Sequence, residues 1–201
     1  MFEEGRAGPV RRILRWLARP SAKISVFALL AFGFVSGIIF WGGFNTALEA
    51  TNTLEFCVAC HEMRDTVYKE YQQTVHFQNR SGVRAACPDC HVPRDWTHKV
   101  ARKMRASFEL WGKLTGVVDT PEKFEANRMR LATDEWDRMK KAGSRECLNC
   151  HNFATMDPVR MKAAAVRNHQ QGQQEGKTCI DCHKGIAHHL PKEYRDPNEE
   201  E

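Results

Sequence analysis

The 201-residue sequence contains no alternating apolar–polar run of any length, so a sheet is not expected and a fold of helices and loops is. It has no large charge excess. Thirty Lys and Arg stand against 25 Asp and Glu, too even a balance for a dedicated nucleic-acid binder. No cysteine lies outside a closely spaced pair. Between Ile24 and Leu48 there is no charged side chain, and outside that run aliphatic residues are too few for an ordinary core. A plain soluble enzyme fits this distribution badly, and something other than polypeptide has to supply apolar volume.

The uncharged run is long enough to cross a bilayer core of about 30 Å as a helix. A signal peptide would have an apolar region of about 7–15 residues and a small-x-small cleavage site. Ala47-Leu48-Glu49-Ala50 is a poor site of that kind, so the run reads as a retained anchor. Arg6, Arg11, Arg12, Arg15, Arg19 and Lys23 precede it, against Glu3 and Glu4. That asymmetry keeps residues 1–23 in the cytoplasm and explains the Arg11-Arg12 pair without a twin-arginine signal. Trp16 and Trp41 fall where interfacial aromatics belong. The tail removes six basic and two acidic residues, leaving 24 and 23 in the remainder. The exported part is therefore nearly neutral.

The eight cysteines form four pairs, and a histidine follows each: Cys57-Val58-Ala59-Cys60-His61, Cys87-Pro88-Asp89-Cys90-His91, Cys147-Leu148-Asn149-Cys150-His151 and Cys179-Ile180-Asp181-Cys182-His183. This is the attachment pattern of c-type haem, in which two thiols form thioethers and the adjacent imidazole reaches the iron. Structural zinc wants four ligands per ion and gives no reason for a histidine after every pair. A thioredoxin-like dithiol needs a βαβ setting, and none is visible. Disulfides within each pair would constrain only very short loops. Four covalent haems in a region of this size also supply the missing core.

First cysteines recur at intervals of 30, 60 and 32 residues, so the motifs form two dihaem halves, about 49–118 and 140–190, around a connector at 119–143. The expected organisation is a cytoplasmic tail (1–23), an anchor (24–48), a periplasmic tetrahaem domain (49–190) and a charged tail (191–201). Histidines outside the motifs are His76, His98, His169, His188 and His189. Five extra imidazoles for four irons suggest bis-histidine haems for electron transfer. His76, His98, His169 and His188 (or His189) are the distal candidates, with His98 the weakest. Met63, two residues past His61, competes for the first haem.

Val100, Met104, Phe108, Trp111 and Leu114 mark one face of a helix from Trp96, with Lys99, Arg102, Lys103, Arg105 and Lys113 on much of the other. Such a helix either lies on a membrane surface or packs its apolar stripe on haem with its charges solvated. A second helix is expected from Pro121, with Phe124, Leu131, Trp136 and Met139 inward and Gly143 at its end.

The segments Trp41–Asn45, Glu55–Arg64, Asn79–Pro93 and Thr178–His188 resemble the NapC/NirT family of membrane-anchored tetrahaem cytochromes, and Asp119–Asn127 resembles its NapC branch. The resemblance implies a quinol dehydrogenase of the bacterial inner membrane, with quinol oxidation as its only bond chemistry. Electrons would pass to a periplasmic reductase, the nitrate reductase in the NapC branch, through its catalytic or small dihaem subunit. It implies Met63 in place of His61 on the first haem, Glu109 as a carboxylate over that haem and Lys103 in the quinol pocket. It supports His76 and His188 as distal ligands, and leaves the second haem's distal ligand among His169, His98 and a partner residue. The rival readings are a passive haem relay, a donor to a nitrite, N-oxide or S-oxide reductase, and a haem enzyme acting on a small substrate.

Overall fold

The structure is a computed structural model that describes residues 8–12 and 23–195. Glu3, Glu4, Arg6, Arg15, Trp16 and Arg19, and residues 196–201 of the charged tail, lie outside the described residues. Two compact units divide the chain, one up to Ala47 and one from Leu48 onward. The described regular elements are helices, and no strand occurs among the described residues.

The first unit is dominated by helix α1, Val26–Ala50. Its 25 residues rise about 37 Å, enough to cross a bilayer core, and none of its side chains is buried by protein. Asn45 returns its amide to the Trp41 carbonyl, 2.8 Å away, so this polar side chain is satisfied within the helix.

In the second unit the cysteine motifs sit on short helices: α2 (Leu54–Val58), α3 (His61–Asp65), α5 (Cys87–His91), α8 (Arg145–Leu148) and α10 (Cys179–Cys182). On one helical turn, residues three apart share a face, so a Cys-x-x-Cys pair points both thiols the same way. Two motifs cap themselves. Asp89 accepts a hydrogen bond from the Ala86 amide at 2.8 Å, and Asp181 accepts from the Thr178 amide and hydroxyl at 2.8 and 2.9 Å.

Helix α4 (Val67–Tyr71) follows the first motif. Long helices α6 (Trp96–Leu114) and α7 (Pro121–Lys141) separate the second motif from the third, and α9 (Ala163–Gln174) lies between the third and fourth. Asp95 caps α6 through the His98 amide. Thr120 caps α7 through the Lys123 amide, with Pro121 in the first turn. After α7 the chain turns through two consecutive left-handed residues, Gly143 (φ 64°) and Ser144 (φ 51°). Glycine adopts that conformation without steric cost, whereas Ser144 must be held there. It is fully buried, and its hydroxyl accepts from the Ile180 amide at 3.1 Å. That bond ties the approach to the third motif to the fourth.

Buried apolar side chains are Tyr71, Phe124, Met139 and Ile180, and they are matched by buried Glu62, Arg128, Ser144 and Glu146. So small an aliphatic core leaves charge networks to set positions. The largest joins α4 to α7. Arg128 meets both oxygens of Glu70, bonds Glu125 at 2.8 Å and donates to the His189 carbonyl at 2.8 Å. Glu70 also accepts from the His189 amide at 2.8 Å.

Helix α6 has an inverted amphipathic arrangement. Four of its cations turn toward partners in the unit, Lys99 to Glu49 (2.6 Å), Arg102 to the His91 carbonyl (3.2 Å), Lys103 to Thr51 and Lys113 to Glu62 (2.9 Å), while Arg105 is exposed. Its apolar side chains face away, Met104, Phe108, Trp111 and Leu114 being 62–77% exposed. Neither sequence expectation for this helix had the cations turned inward.

Removing one partner of a buried charge network strands the others, so Arg128→Leu is expected to lower stability by about 3–5 kcal/mol, read as a shifted guanidinium midpoint of the haem-loaded protein. Ser144→Ala leaves the Ile180 amide without its acceptor and is expected to cost about 1–3 kcal/mol in the same titration.

Candidate haem-binding site

Three pairs of imidazoles face each other in the second unit. His76 and His151 have ring centroids 6.1 Å apart with planes at 79°. His91 and His188 are 6.2 Å apart at 30°. His169 and His183 are 5.9 Å apart at 25°. Two metal–nitrogen bonds of about 2.0 Å plus two ring radii of about 1.1 Å give about 6.2 Å across one metal. Packed aromatic rings also fall in this range. What sets these pairs apart is that each joins one motif histidine to one histidine from elsewhere. In addition, the three non-motif members, His76, His169 and His188, have a buried Nδ1 without a hydrogen-bonding partner. Burial, reinforced by His91, pushes His188 down to about 4. That leaves it the neutral ring a metal requires.

Two of the pairs cross the halves. His76, from the first half, faces the third motif, and His188, from the second, faces the second motif. Each is held by its backbone. The Tyr71 hydroxyl lies between the carbonyls of His76 and Ala85, and Tyr71 packs edge-on against Phe77 at 5.4 Å. His188 is fixed through its neighbour, because Glu70 and Arg128 clamp both backbone groups of His189. The two adjacent histidines diverge: the His189 side chain is 68% exposed, and His188 faces His91. Gly185 (φ 73°) permits the preceding turn, and a Cβ there would meet Leu190 at 2.9 Å.

His98 joins no pair. Its Nδ1 is 2.6 Å from Asp95 in the first turn of α6, and half of its side chain is exposed. Among the described residues His61 has no imidazole opposite it, and its Nε2 is 3.2 Å from Glu62. Met63, two residues on along α3, is 39% exposed. Glu62 is buried against Lys113. Burial alone would raise its pKa, but Lys113 holds it below the usual carboxylate range.

The motif helices meet in chain order: α2 packs on α5 and α5 on α8, and the Ser144–Ile180 bond ties the start of α8 to α10. None of the eight cysteines is joined in a disulfide. No cluster of three or more His, Cys, Asp or Glu is arranged to hold a metal among the described residues.

The motif histidine with the most elaborate support is His91. Its Nδ1 lies 2.8 Å from Glu135, which Arg138 grips at 2.7 and 3.0 Å. Arg138 continues to the Cys90 carbonyl and to buried Glu146, each at 3.2 Å. Burial would raise the Glu135 carboxyl, but His91 and Arg138 hold it down to about 2.

Lys103 and Glu109 are not brought together. Six residues apart on α6, they lie about 120° apart around the helix. Lys103 donates to the Thr51 carbonyl and hydroxyl beside Cys57, and burial lowers its pKa. Glu109 is exposed and paired with Arg102 at 2.8 Å. Sequence reasoning did not reach Glu70, Arg128, Glu135, Arg138 or Tyr71. Glu70 and Arg128 are 58 residues apart and His91 and Glu135 are 44 apart, and no local pattern links such positions.

Residues 19–193 match the NapC/NirT cytochrome c family, N-terminal region. The chain is 57% identical over 188 residues to the denitrification system component NirT of Stutzerimonas stutzeri, covering 94% of each. It is 56% identical over 184 residues to the cytochrome c-type protein NapC of Escherichia coli K12, covering 92% of each. Similarity to the cytochrome c-type protein TorC of the same strain is 48% over 183 residues, 90% of this chain and 47% of that one. No solved structure gives a significant match. The chain therefore belongs to the NapC/NirT family of c-type cytochromes, electron-transport proteins that hold haem c covalently.

Proposed function

We propose that this cytochrome carries four haems, one per motif, and passes electrons from membrane quinol to a periplasmic reductase. The observation that carries this reading is the set of three imidazole pairs near 6 Å, built on motif helices that pack one on the next from the first motif to the third. Haem bound at these motifs supplies one-electron transfer. The pairs His91–His188, His76–His151 and His169–His183 would hold the haem irons and would leave those sites no open position for a small substrate. The first motif takes Met63 or His61.

Helix α1 anchors the chain in the inner membrane with the N-terminus in the cytoplasm, by the positive-inside rule. The outward apolar stripe of α6 is suited to a membrane surface. Lys99 and Lys103 bond Glu49 and Thr51, which end and follow α1, so α6 is fastened to the point where the chain leaves the apolar helix. Quinol oxidation releases two electrons and two protons, and a haem held at a motif would take up one electron at a time, so two motifs would be needed per quinol. Lys103, beside Cys57, offers a cation where negative charge develops on a quinol oxygen. The proton-acceptor role read for Glu109 is less well served, because Arg102 already engages it away from Lys103. The similarity to NapC and to a denitrification component supports a nitrogen-oxide reductase as acceptor, with the nitrate reductase catalytic and small dihaem subunits first among the partners. The separation of Lys103 from Glu109 favours one other reading, a passive relay reduced by a different membrane complex.

Anaerobic titration of the nanodisc-embedded protein with a quinol analogue, followed at the haem α-band, is expected to show rapid reduction. Lys103→Met should slow it about tenfold, roughly 1.4 kcal/mol in the barrier, and Glu109→Gln should slow it less. Reduction by dithionite but not by quinol would establish the relay. Electron paramagnetic resonance of the oxidised protein should show one strongly anisotropic low-spin signal from the near-perpendicular His76–His151 pair. The two other pairs should give rhombic signals.

A further inference from the structure

Among the described residues, His91 is the one motif histidine with a side-chain carboxylate on Nδ1, since the carboxylate beside His61 lies at Nε2 instead. Glu135 comes from α7, 44 residues away, and Arg138 holds it by a two-point grip one helical turn on. Both side chains are largely buried, Glu135 at 20% and Arg138 at 14% exposure. Arg138 also reaches the Cys90 carbonyl of the second motif and Glu146, next to Cys147 of the third. The carboxylate is thus a fixed element at the junction of two motifs.

We propose that Glu135 is a positioning residue that orients His91 and lowers the potential of the haem at the second motif relative to the other bis-histidine haems. The proposal rests on the reading of His91 and His188 as that haem's axial pair. A carboxylate that accepts the Nδ1 proton fixes the tautomer, leaves the lone pair on Nε2 and makes the ring a stronger donor. A stronger donor favours the oxidised metal, and hydrogen bonding to an axial ligand is one of the levers by which a protein sets haem potential. Arg138 keeps the carboxylate in one rotamer. Because the helix of the second motif, α5, packs against those of the first and third, α2 and α8, a low-potential haem here is an uphill step within the path, and Glu135 sets its height.

The test is a redox titration of the full haem-loaded chain in nanodiscs, comparing wild type with Glu135→Gln, Glu135→Asp and His188→Met. Gln matches Glu in size and keeps an acceptor oxygen but carries no charge. Glu135→Gln is expected to raise one transition by a tenfold change in its one-electron equilibrium, about 59 mV, and to leave the others in place. Glu135→Asp keeps the charge and should stay near wild type. His188→Met, which replaces the opposite ligand, should move the same transition. The proposal is overturned if Glu135→Gln leaves every transition in place, or if Glu135→Asp shifts it as far as Gln does. If Glu135→Gln and His188→Met move different transitions, the assignment to the His91–His188 haem fails instead, which separates the two readings.

Discussion

Two imidazoles that share a metal must face each other across about 6 Å, and in this chain most of the facing rings come from distant sequence. His76 is 75 residues before His151, and His91 is 97 before His188. Both pairs join the segment of the first two motifs to that of the last two, so the second unit cannot close as two independent modules. The connector α7, the clamp on His189 and the Tyr71 contacts around His76 all follow from holding those rings in place.

The means of holding them is unusual for a small domain. Buried apolar side chains are few, while Arg128, Glu146 and Glu62 are buried and charged. Buried ion pairs add little net stability compared with well-packed apolar groups, yet removing one member is costly. Here they act on geometry. Glu70 and Arg128 grip a backbone segment so that His188 turns inward and His189 outward. Arg138 and Glu135 grip an imidazole. Covalently attached macrocycles provide apolar volume that the polypeptide does not, and the charged networks place the ligands around them.

Helix α6 shows how a periodic pattern yields a face without telling which way the face points. Its apolar stripe at Met104, Phe108 and Trp111 is regular, and a stripe of that kind ordinarily turns toward the core. In the structure four cations take the inward side because Glu49, Thr51, the His91 carbonyl and Glu62 offer them partners there.

The sequence by itself determined the covalent chemistry, because CxxCH is local: two thiols and an imidazole on one helical turn need no distant contact. It determined the helical class, the long apolar helix and the ends of α6 and α7, which depend on periodicity and capping within a few residues. Tertiary structure decided which imidazoles face each other: the family resemblance left His169, His98 and a partner residue open for the second haem, and it is His188 that faces His91. It chose between His188 and His189 through a Glu70–Arg128 pair that no local pattern announces. It also separated Lys103 from Glu109, because helical phase and the neighbours of each face set their directions. The common reason is range. Local chemistry is written in neighbouring residues, whereas a ring opposite another ring is a meeting of segments that only the packed chain brings together.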